Sequence, residues 1–259
     1  MKACFLIPVY NHHLVLAKTV AALEPHQLPC ILVDDGSEPV CAEEILRIRD
    51  QYAWVSSDRL AVNSGKGAAV IRGLELAQQA GCTHAIQIDA DGQHDLAVIG
   101  DFLLAAQAHP NDLILGVAVY DESVPVSRHY GRYVTHFWVW VHTLSFAVKD
   151  SMCGYRVYPV QPTLDVCTFS RMGLRMDFDI EVVVRLVWTG VGVQSLPTLV
   201  KYPEDGISHF NVLKDNLRIS KMHARLFFGM LLRLPQLLMR KFRFGIQNQD
   251  VVTKSEWRK

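Results

Sequence analysis

Short apolar runs alternate with segments of helical periodicity over the first 120 residues, and this alternation limits the folds open to the chain. The apolar runs are rich in branched residues, whereas the segments between them place apolar residues at helical spacing. Strands separated by helices form βαβ units, whose strands are parallel and whose helices cover the sheet. We therefore predict an α/β fold with a mostly parallel central sheet flanked by helices. The predicted strands are 3–9, 30–33, 54–55, 83–88 and 112–119, and the predicted helices are 14–23, 42–52, 68–80 and 96–108.

Composition excludes several classes of protein. The chain has 259 residues, half of them hydrophobic, which is enough for one large domain or two small ones. Its 26 basic residues balance 26 acidic ones, and this argues against a dedicated nucleic-acid binder. The six cysteines form no C-x-x-C pair, so we expect free thiols in a reducing compartment and no zinc site. We find no signal peptide and no apolar segment of about 18 residues, and we expect a cytoplasmic protein.

Two carboxylates, Asp89 and Asp91, follow the strand predicted at 83–88 and precede Gly92. On an extended backbone, residues two apart point the same way, so both carboxylates reach a common point beyond the strand. Carboxylates at one point repel unless a cation lies between them. Mg²⁺ and Mn²⁺ prefer such oxygens and commonly bridge them to substrate phosphates. Taken alone, the pair is also typical of a solvated acidic turn.

Polar residues also follow the first two predicted strands, as Tyr10 and Asn11 and as Asp34 and Asp35. Ligands bind at the carboxyl ends of parallel strands, so we predict one shared site at three strand ends. The later Gly65-Lys66-Gly67 segment fits neither a P-loop nor a dinucleotide fingerprint. We interpret it as a turn before the next helix, whose N-terminal amides face anionic phosphate.

Five motifs occur together in an order that resembles the family 2 glycosyltransferases. The resemblance covers about residues 3 to 210 and is to the branch of dolichyl- and polyprenyl-phosphate sugar transferases. It implies a GT-A fold and an inverting transfer from a nucleotide-diphosphate sugar, with Mg²⁺ or Mn²⁺ as cofactor. The motifs are Pro8-Val9-Tyr10-Asn11, Val33-Asp34-Asp35-Gly36-Ser37, Asn63-Ser64-Gly65-Lys66-Gly67, Asp89-Ala90-Asp91-Gly92-Gln93 and Asp150-Ser151-Met152-Cys153-Gly154-Tyr155-Arg156.

The resemblance also implies a role for each matching residue. Asp89 and Asp91 would hold the metal, with Gln93 as a further oxygen ligand. Arginines would meet phosphate charge through paired hydrogen bonds, and Arg156 is the one expected next to the chemistry. The catalytic residues implied are Asp89, Asp91, Asp179 and Arg156. The donor-binding residues implied are Pro8, Tyr10, Asn11, Asp35, Lys66, Ala90, Arg128 and Arg132.

The acceptor is the point on which the sequence leaves alternatives. A lipid-linked acceptor of the polyprenyl phosphate type is already ionised and needs no base. A hydroxyl acceptor must lose a proton, and Asp179 or Asp177 would then act as the base. A third reading is a non-catalytic nucleotide-sugar-binding protein, against which the metal pair argues. Segments 115–118 and 206–209 depart from the acceptor-phosphate motifs of the branch.

The C-terminal part of the chain differs in character from the first. Residues 134–148 and 178–188 have helical spacing, and 191–202 is predicted as a strand. Residues 214–243 contain eight Lys or Arg, one acid and many large apolar residues. Such a basic amphipathic segment favours an anionic membrane surface, and the alternative is a helix packed on its own domain. We predict a GT-A domain at 1–213 and a basic amphipathic helical extension at 214–259, peripheral on the cytoplasmic membrane face.

Overall fold

A computed structural model gives the fold, with the backbone described for residues 1–120, 126–200 and 212–256 and side chains for 1–119, 132–200 and 213–240. The strands are β1 (Ala3–Val9), β2 (Cys30–Asp34), β3 (Val55–Arg59), β4 (His84–Gln87), β5 (Leu113–Tyr120), β6 (Arg156–Pro159) and β7 (Val193–Val200). The helices are α1 (His13–Leu23), α2 (Pro39–Gln51), α3 (Lys66–Gln79), α4 (Ile99–Ala108), α5 (Val126–Thr143), α6 (Val160–Phe169), α7 (Phe178–Thr189) and α8 (Val212–Glu256). Two short 3-10 turns, Glu24–His26 and Leu96–Val98, complete the elements described.

The strands form a single seven-stranded sheet in the order β3-β2-β1-β4-β6-β5-β7. Strand β6 runs antiparallel to its neighbours β4 and β5, and the other neighbouring pairs are parallel. The prediction of a mostly parallel sheet flanked by helices is confirmed. The carboxyl ends of β2, β1 and β4 lie side by side, because these three strands are parallel neighbours.

The sheet is buried on both faces, and strand β1 shows why its sequence is apolar throughout. All seven of its residues are buried. Phe5 and Ile7 face a layer formed by α1, α2 and α4, whereas Cys4 and Leu6 face a layer that includes α3, α6 and α7. Because successive side chains point to opposite faces, a strand covered on both sides needs apolar residues at every position.

The elements predicted in the first 120 residues are all present, with boundaries that shift by a few residues. Strand β6 and helix α6 were missed. Strand β6 has only four residues and begins with Arg156, so no apolar period identifies it. The strand predicted at 191–202 is present as β7, and residues 201 and 202 lie outside the described part of the chain.

Helix α8 is joined to the main domain along its inner face. Met222, Leu226, Met230 and Leu237 are buried in the same apolar core as α3 and α7. The inner face of α8 therefore packs on the main domain, and the division at residue 213 stays a prediction. Within the part of the chain that the structure describes, no helix is both long and apolar enough to cross a bilayer.

Candidate active site

The centre of the site is an ion-pair bridge made by Lys66, the first residue of α3. Its Nζ lies 2.8 Å from Asp89 Oδ1, just after β4, and 2.8 Å from Asp179 Oδ2, in the first turn of α7. Burial opposes each charge, yet the two carboxylates raise the pKa of Lys66 above its ordinary value. Although burial acts the other way, Lys66 and His94 hold the pKa of Asp89 below its usual range. Residues from three parts of the chain thus meet here, with the ammonium group of Lys66 between the carboxylates of Asp89 and Asp179.

The turn before α3 is built to aim Lys66 at this point. Gly65 has φ of 104°, and a side chain there would collide with the carbonyl oxygen of Leu174, so glycine is required. The Asp35 carboxylate accepts the N–H of Ser64 at 2.7 Å and that of Gly65 at 2.9 Å. The turn is therefore held between Leu174, which packs against Gly65, and the Asp35 carboxylate, which binds its backbone amides.

The expectation that the first amides of α3 face phosphate is wrong. The N–H of Gly67 donates to the Leu174 carbonyl at 2.8 Å, and those of Ala68 and Ala69 donate to the Gly65 carbonyl. These amides are satisfied within the protein. The turn contributes the ammonium group of Lys66 to the site instead.

The residues expected at the donor nucleotide lie at the ends of β1 and β2. Tyr10 is half-buried, and Asn11 has a left-handed φ of 57°. The Asn11 side chain accepts the N–H of Glu38 at 2.8 Å and so ties this turn to the start of α2. Asp35 is buried, and burial raises its pKa although two backbone amides act against the rise. Pro8 and Ala90 are buried too, so neither exposes its side chain at the surface.

A small cavity of about 80 Å³ opens beside the carboxylate pair and is lined by Asp89, Asp91, Gln93 and Arg132 among others. Asp91 accepts the N–H of Gln93 at 3.0 Å, and burial together with the Asp89 charge raises the pKa of Asp91. Both aspartates are half-buried, not exposed as a solvated turn would be. Arg132 forms an ion pair with the buried Asp150.

His94 was not singled out from the sequence, although it directly follows the Gln93 position of the motif. Both of its ring nitrogens are buried without a hydrogen-bond partner, and Nε2 lies 3.5 Å from Asp89 Oδ2. Among the described residues, no three His, Cys, Asp or Glu side chains are gathered into a metal cage. The carboxylates of Asp89 and Asp91 beside this cavity nevertheless fit a divalent ion that takes its remaining ligands from water and substrate phosphate, as Mg²⁺ commonly does.

Arg156 has a different role from the one implied by the resemblance. It is completely buried at the start of β6. Its guanidinium donates to the carbonyl oxygens of Cys153 at 2.7 Å, Asp179 at 2.7 Å and Ser151 at 2.8 Å. The expectation that Arg156 meets phosphate charge is therefore wrong, because it instead fixes the 151–153 loop to the start of α7.

Gly154 explains how this loop approaches the carboxylate pair so closely. A Cβ at position 154 would overlap the Asp89 carboxylate. The motif from Asp150 to Arg156 thus shapes the wall of the site through backbone and buried side chains. Two further predicted features, the Arg128 side chain and segment 206–209, lie outside the described residues.

The chain matches a known protein family and several relatives at low sequence identity. The model of the family described as Glycosyl transferase family 2 matches residues 4–165. An uncharacterised protein of Methanocaldococcus jannaschii is 21% identical over 86% of this chain and 98% of its own length. A dolichyl-phosphate beta-glucosyltransferase of Trichomonas vaginalis is 24% identical over 70% of this chain and 60% of its own length. A polyprenol monophosphomannose synthase of Mycolicibacterium smegmatis is 25% identical over 78% of both chains.

Solved structures agree on the fold. Residues 1–349 of S. aureus TarS in complex with UDP superpose with a TM-score of 0.60 and 15% identity, covering 96% of this chain and 74% of that one. The same protein in complex with UDP-GlcNAc gives a TM-score of 0.60 and 17% identity, covering 94% and 73%. At this level of identity the likeness concerns the fold alone, and the fold is the predicted GT-A fold.

Proposed function

This chain belongs to glycosyl transferase family 2, and from that membership we propose that it transfers a sugar from a nucleotide-diphosphate sugar to a lipid-linked phosphate of the polyprenyl phosphate type. The anomeric carbon exchanges its bond to the donor diphosphate for one to an acceptor phosphate oxygen, and the diphosphate leaves with the electron pair. Attack from the opposite face inverts the anomeric configuration. Two relatives named for dolichyl phosphate and polyprenol support this class of acceptor.

The observation that carries the choice of acceptor is the pairing of Asp179. Its carboxylate lies 2.8 Å from Lys66 Nζ and 3.5 Å from Arg156 Nη1. Lys66 thus occupies one oxygen of this carboxylate and Arg156 lies near the other, so a substrate hydroxyl would compete with both cations for Asp179. A phosphate acceptor requires no proton transfer, so the same arrangement does not hinder it.

Asp177, the second candidate base, is also occupied. It is buried, and its carboxylate accepts the N–H of Arg175 at 3.2 Å. The backbone of Gly173 lies so close that a side chain there would overlap the Asp177 carboxylate. The contacts of both aspartates support a phosphate acceptor over a hydroxyl acceptor.

The proposed reaction also uses a divalent ion. Asp89 and Asp91, with Gln93 and His94 beside them, would hold Mg²⁺ or Mn²⁺. When bound, the ion neutralises charge on the departing nucleotide diphosphate. Lys66 adds a fixed positive charge next to the same carboxylates, and it contributes to binding the anionic donor.

The proposal is tested by comparing two acceptors that differ only in the phosphate. The protein is supplied with candidate nucleotide sugars, Mn²⁺, and either a short polyprenyl phosphate or the corresponding polyprenol. We expect product from the phosphate only, and less than about a ten-fold loss of rate in Asp179→Asn, because no base is used. Transfer to the polyprenol or another hydroxyl, with a loss of about 10²–10⁴-fold in Asp179→Asn, would support the hydroxyl-acceptor alternative. Tight donor binding with no transfer to any acceptor would support the non-catalytic reading.

Donor binding gives a separate prediction at Asp35. Asp35→Ala should raise the Kd for UDP or GDP about ten-fold or more, as the loss of a charge-assisted hydrogen bond of roughly 1.5–3 kcal/mol predicts. The same change frees the amides of Ser64 and Gly65, so the turn that aims Lys66 loosens as well. Calorimetric titration measures the Kd, with the exposed Asp165→Ala as control. Unchanged affinity in Asp35→Ala would remove Asp35 from the donor site.

A further inference from the structure

The Asp89 carboxylate is surrounded by protein groups, and one of them is a cation. Oδ1 of Asp89 lies 2.8 Å from Lys66 Nζ and accepts a hydrogen bond from Gln87 Nε2 at 3.4 Å. Its Oδ2 lies 3.5 Å from His94 Nε2, and a Cβ on Gly154 would overlap the same carboxylate. A divalent ion bound to Asp89 would therefore lie beside an ammonium group, and the two cations would repel each other.

Asp91, the other carboxylate of the pair, has different contacts. It accepts the N–H of Gln93 at 3.0 Å, and among the described residues no cation forms an ion pair with it. Lys66 thus contacts only one of the two carboxylates that would hold the metal. Competition between the metal and a protein cation is confined to Asp89.

Lys66 has a second partner that a metal at Asp89 would not take. Its Nζ lies 2.8 Å from Asp179 Oδ2, and Asp179 is fixed in the first turn of α7. If Lys66 separates from Asp89, the contact with Asp179 still compensates its charge. A half-buried ammonium without any partner would be costly, so this second contact makes the separation energetically accessible.

We propose that Lys66 is an exchangeable counter-ion of the metal site. Lys66 pairs with Asp89 until a divalent ion binds that carboxylate, and it then remains on Asp179 alone. A doubly charged ion attracts the carboxylate more strongly than an ammonium does, and the flexible four-carbon stem of lysine permits a small displacement. This inference rests on the divalent ion of the proposed function.

The exchange would connect metal binding to donor binding. An ammonium group has three N–H donors, and contact with Asp89 and Asp179 occupies two of them. Separation from Asp89 frees one donor and leaves the positive charge of Lys66 less compensated. Both changes favour the diphosphate of the nucleotide sugar, so we expect the metal to bind before the donor.

Titration of the full chain with Mn²⁺ in the absence of donor tests the exchange, with free Mn²⁺ measured by its electron paramagnetic resonance signal. Lys66→Met should bind Mn²⁺ about ten-fold or more tightly than wild type, because no charge-assisted contact to Asp89 has to be broken. Arg132→Gln is the matched control, since Arg132 lines the same cavity but pairs with Asp150. It should change the Kd for Mn²⁺ much less.

Donor affinity should change in the opposite direction. At saturating Mn²⁺, the Kd for UDP or GDP should rise about ten-fold in Lys66→Met, because the freed ammonium is lost. A residue that only maintained the shape of the site would lower both affinities when removed.

The second partner gives a test that general electrostatics does not pass. Asp179→Asn should weaken Mn²⁺ binding about five-fold or more, because Lys66 then has only Asp89 to pair with. In the Lys66→Met background the same change should have almost no effect, since Asp179 acts through Lys66. Two charges that acted only through their fields would give additive changes in the two backgrounds.

The outcomes separate this inference from the proposed function. Absence of Mn²⁺ binding in wild type and in Lys66→Met would remove the metal from the proposed function, and the exchange with it. Mn²⁺ binding in wild type with equal or weaker binding in Lys66→Met would overturn the exchange alone. Equal tightening in Arg132→Gln, or a full effect of Asp179→Asn without Lys66, would overturn it as well. Should Lys66→Met fail to fold, the double variant compared with Asp179→Asn alone gives the same measurement.

Discussion

Asp91→Asn will lower sugar transfer by at least about a hundred-fold while leaving the protein folded, because it removes one of the two carboxylates that would hold the metal. The rate is measured over a range of Mn²⁺ concentrations with saturating donor. Asp101→Asn serves as control, since Asp101 is exposed in the first turn of α4 and does not line the cavity. Full activity in Asp91→Asn, or in wild-type protein with EDTA, contradicts a metal-bridged donor.

Thermal unfolding of the same variant separates loss of metal binding from loss of structure. Burial and the Asp89 charge raise the pKa of Asp91, so the folded state disfavours its ionised form at neutral pH. An acid whose folded pKa is raised reduces stability above that pKa, and the neutral Asn removes this unfavourable charge. We expect Asp91→Asn to unfold at the same or a higher temperature without metal, and to lose the stabilisation that Mn²⁺ gives the wild type. A lower midpoint without metal would assign Asp91 a structural role.

The main architecture could be read from the sequence because it depends on local patterns. The runs that became β1, β2 and β4 are apolar, and polar residues follow each of them directly. In a parallel sheet this order alone brings Tyr10, Asp35 and Asp89 to one edge. The site was therefore predicted where polar residues follow the ends of neighbouring strands.

The roles of individual charged residues could not be read in the same way. Lys66, Asp89 and Asp179 come from three elements, and nothing in their spacing predicts that one ammonium bridges both carboxylates. Arg156 was assigned to phosphate because of its charge, but its environment is backbone carbonyls in the core. Charge type suggests a partner, whereas burial decides which partner is available.

The amphipathic pattern of α8 was recognised, but its two faces were not distinguished. Apolar residues occur on both sides of this helix, and only the fold assigns Leu226 and Met230 to the core and Phe228 and Leu232 to the surface. A sequence with apolar residues on two sides of a helix is compatible with core packing and with surface binding. In the structure one side of α8 is packed in the core and the other side is exposed.

Glu181→Ala should destabilise the protein more than the other substitutions considered, because Glu181 is a fully buried charge with several partners. Its carboxylate accepts hydrogen bonds from Nε of Arg185 at 2.8 Å and from the backbone N–H of Gly173 at 2.9 Å. It also forms an ion pair with Arg225 of α8. Removing it leaves two guanidinium groups without their shared counter-charge. Breaking a buried ion pair in this way costs about 3–5 kcal/mol of unfolding free energy.

Urea unfolding measures this loss, and Glu44→Ala is the matched control. Glu44 pairs with Arg47 on the surface of α2, where solvent screens the two charges and loss of the pair has little effect on stability. A loss below about 1 kcal/mol in Glu181→Ala would mean that apolar contacts alone hold α8 to α7.

The same substitution should also lower activity, since Glu181 connects α8 to the active site through the 170–177 loop. Glu181 holds Gly173, and the neighbouring Leu174 carbonyl accepts the N–H of Gly67 at 2.8 Å. Arg175 donates a hydrogen bond to Asn63 Oδ1 at 2.7 Å, so the loop also contacts the turn that positions Lys66. We expect donor affinity to fall in Glu181→Ala even at temperatures where the variant remains folded. Unchanged donor affinity in folded Glu181→Ala would show that the turn keeps its geometry through Asp35 alone, and α8 would then affect stability without reaching the site.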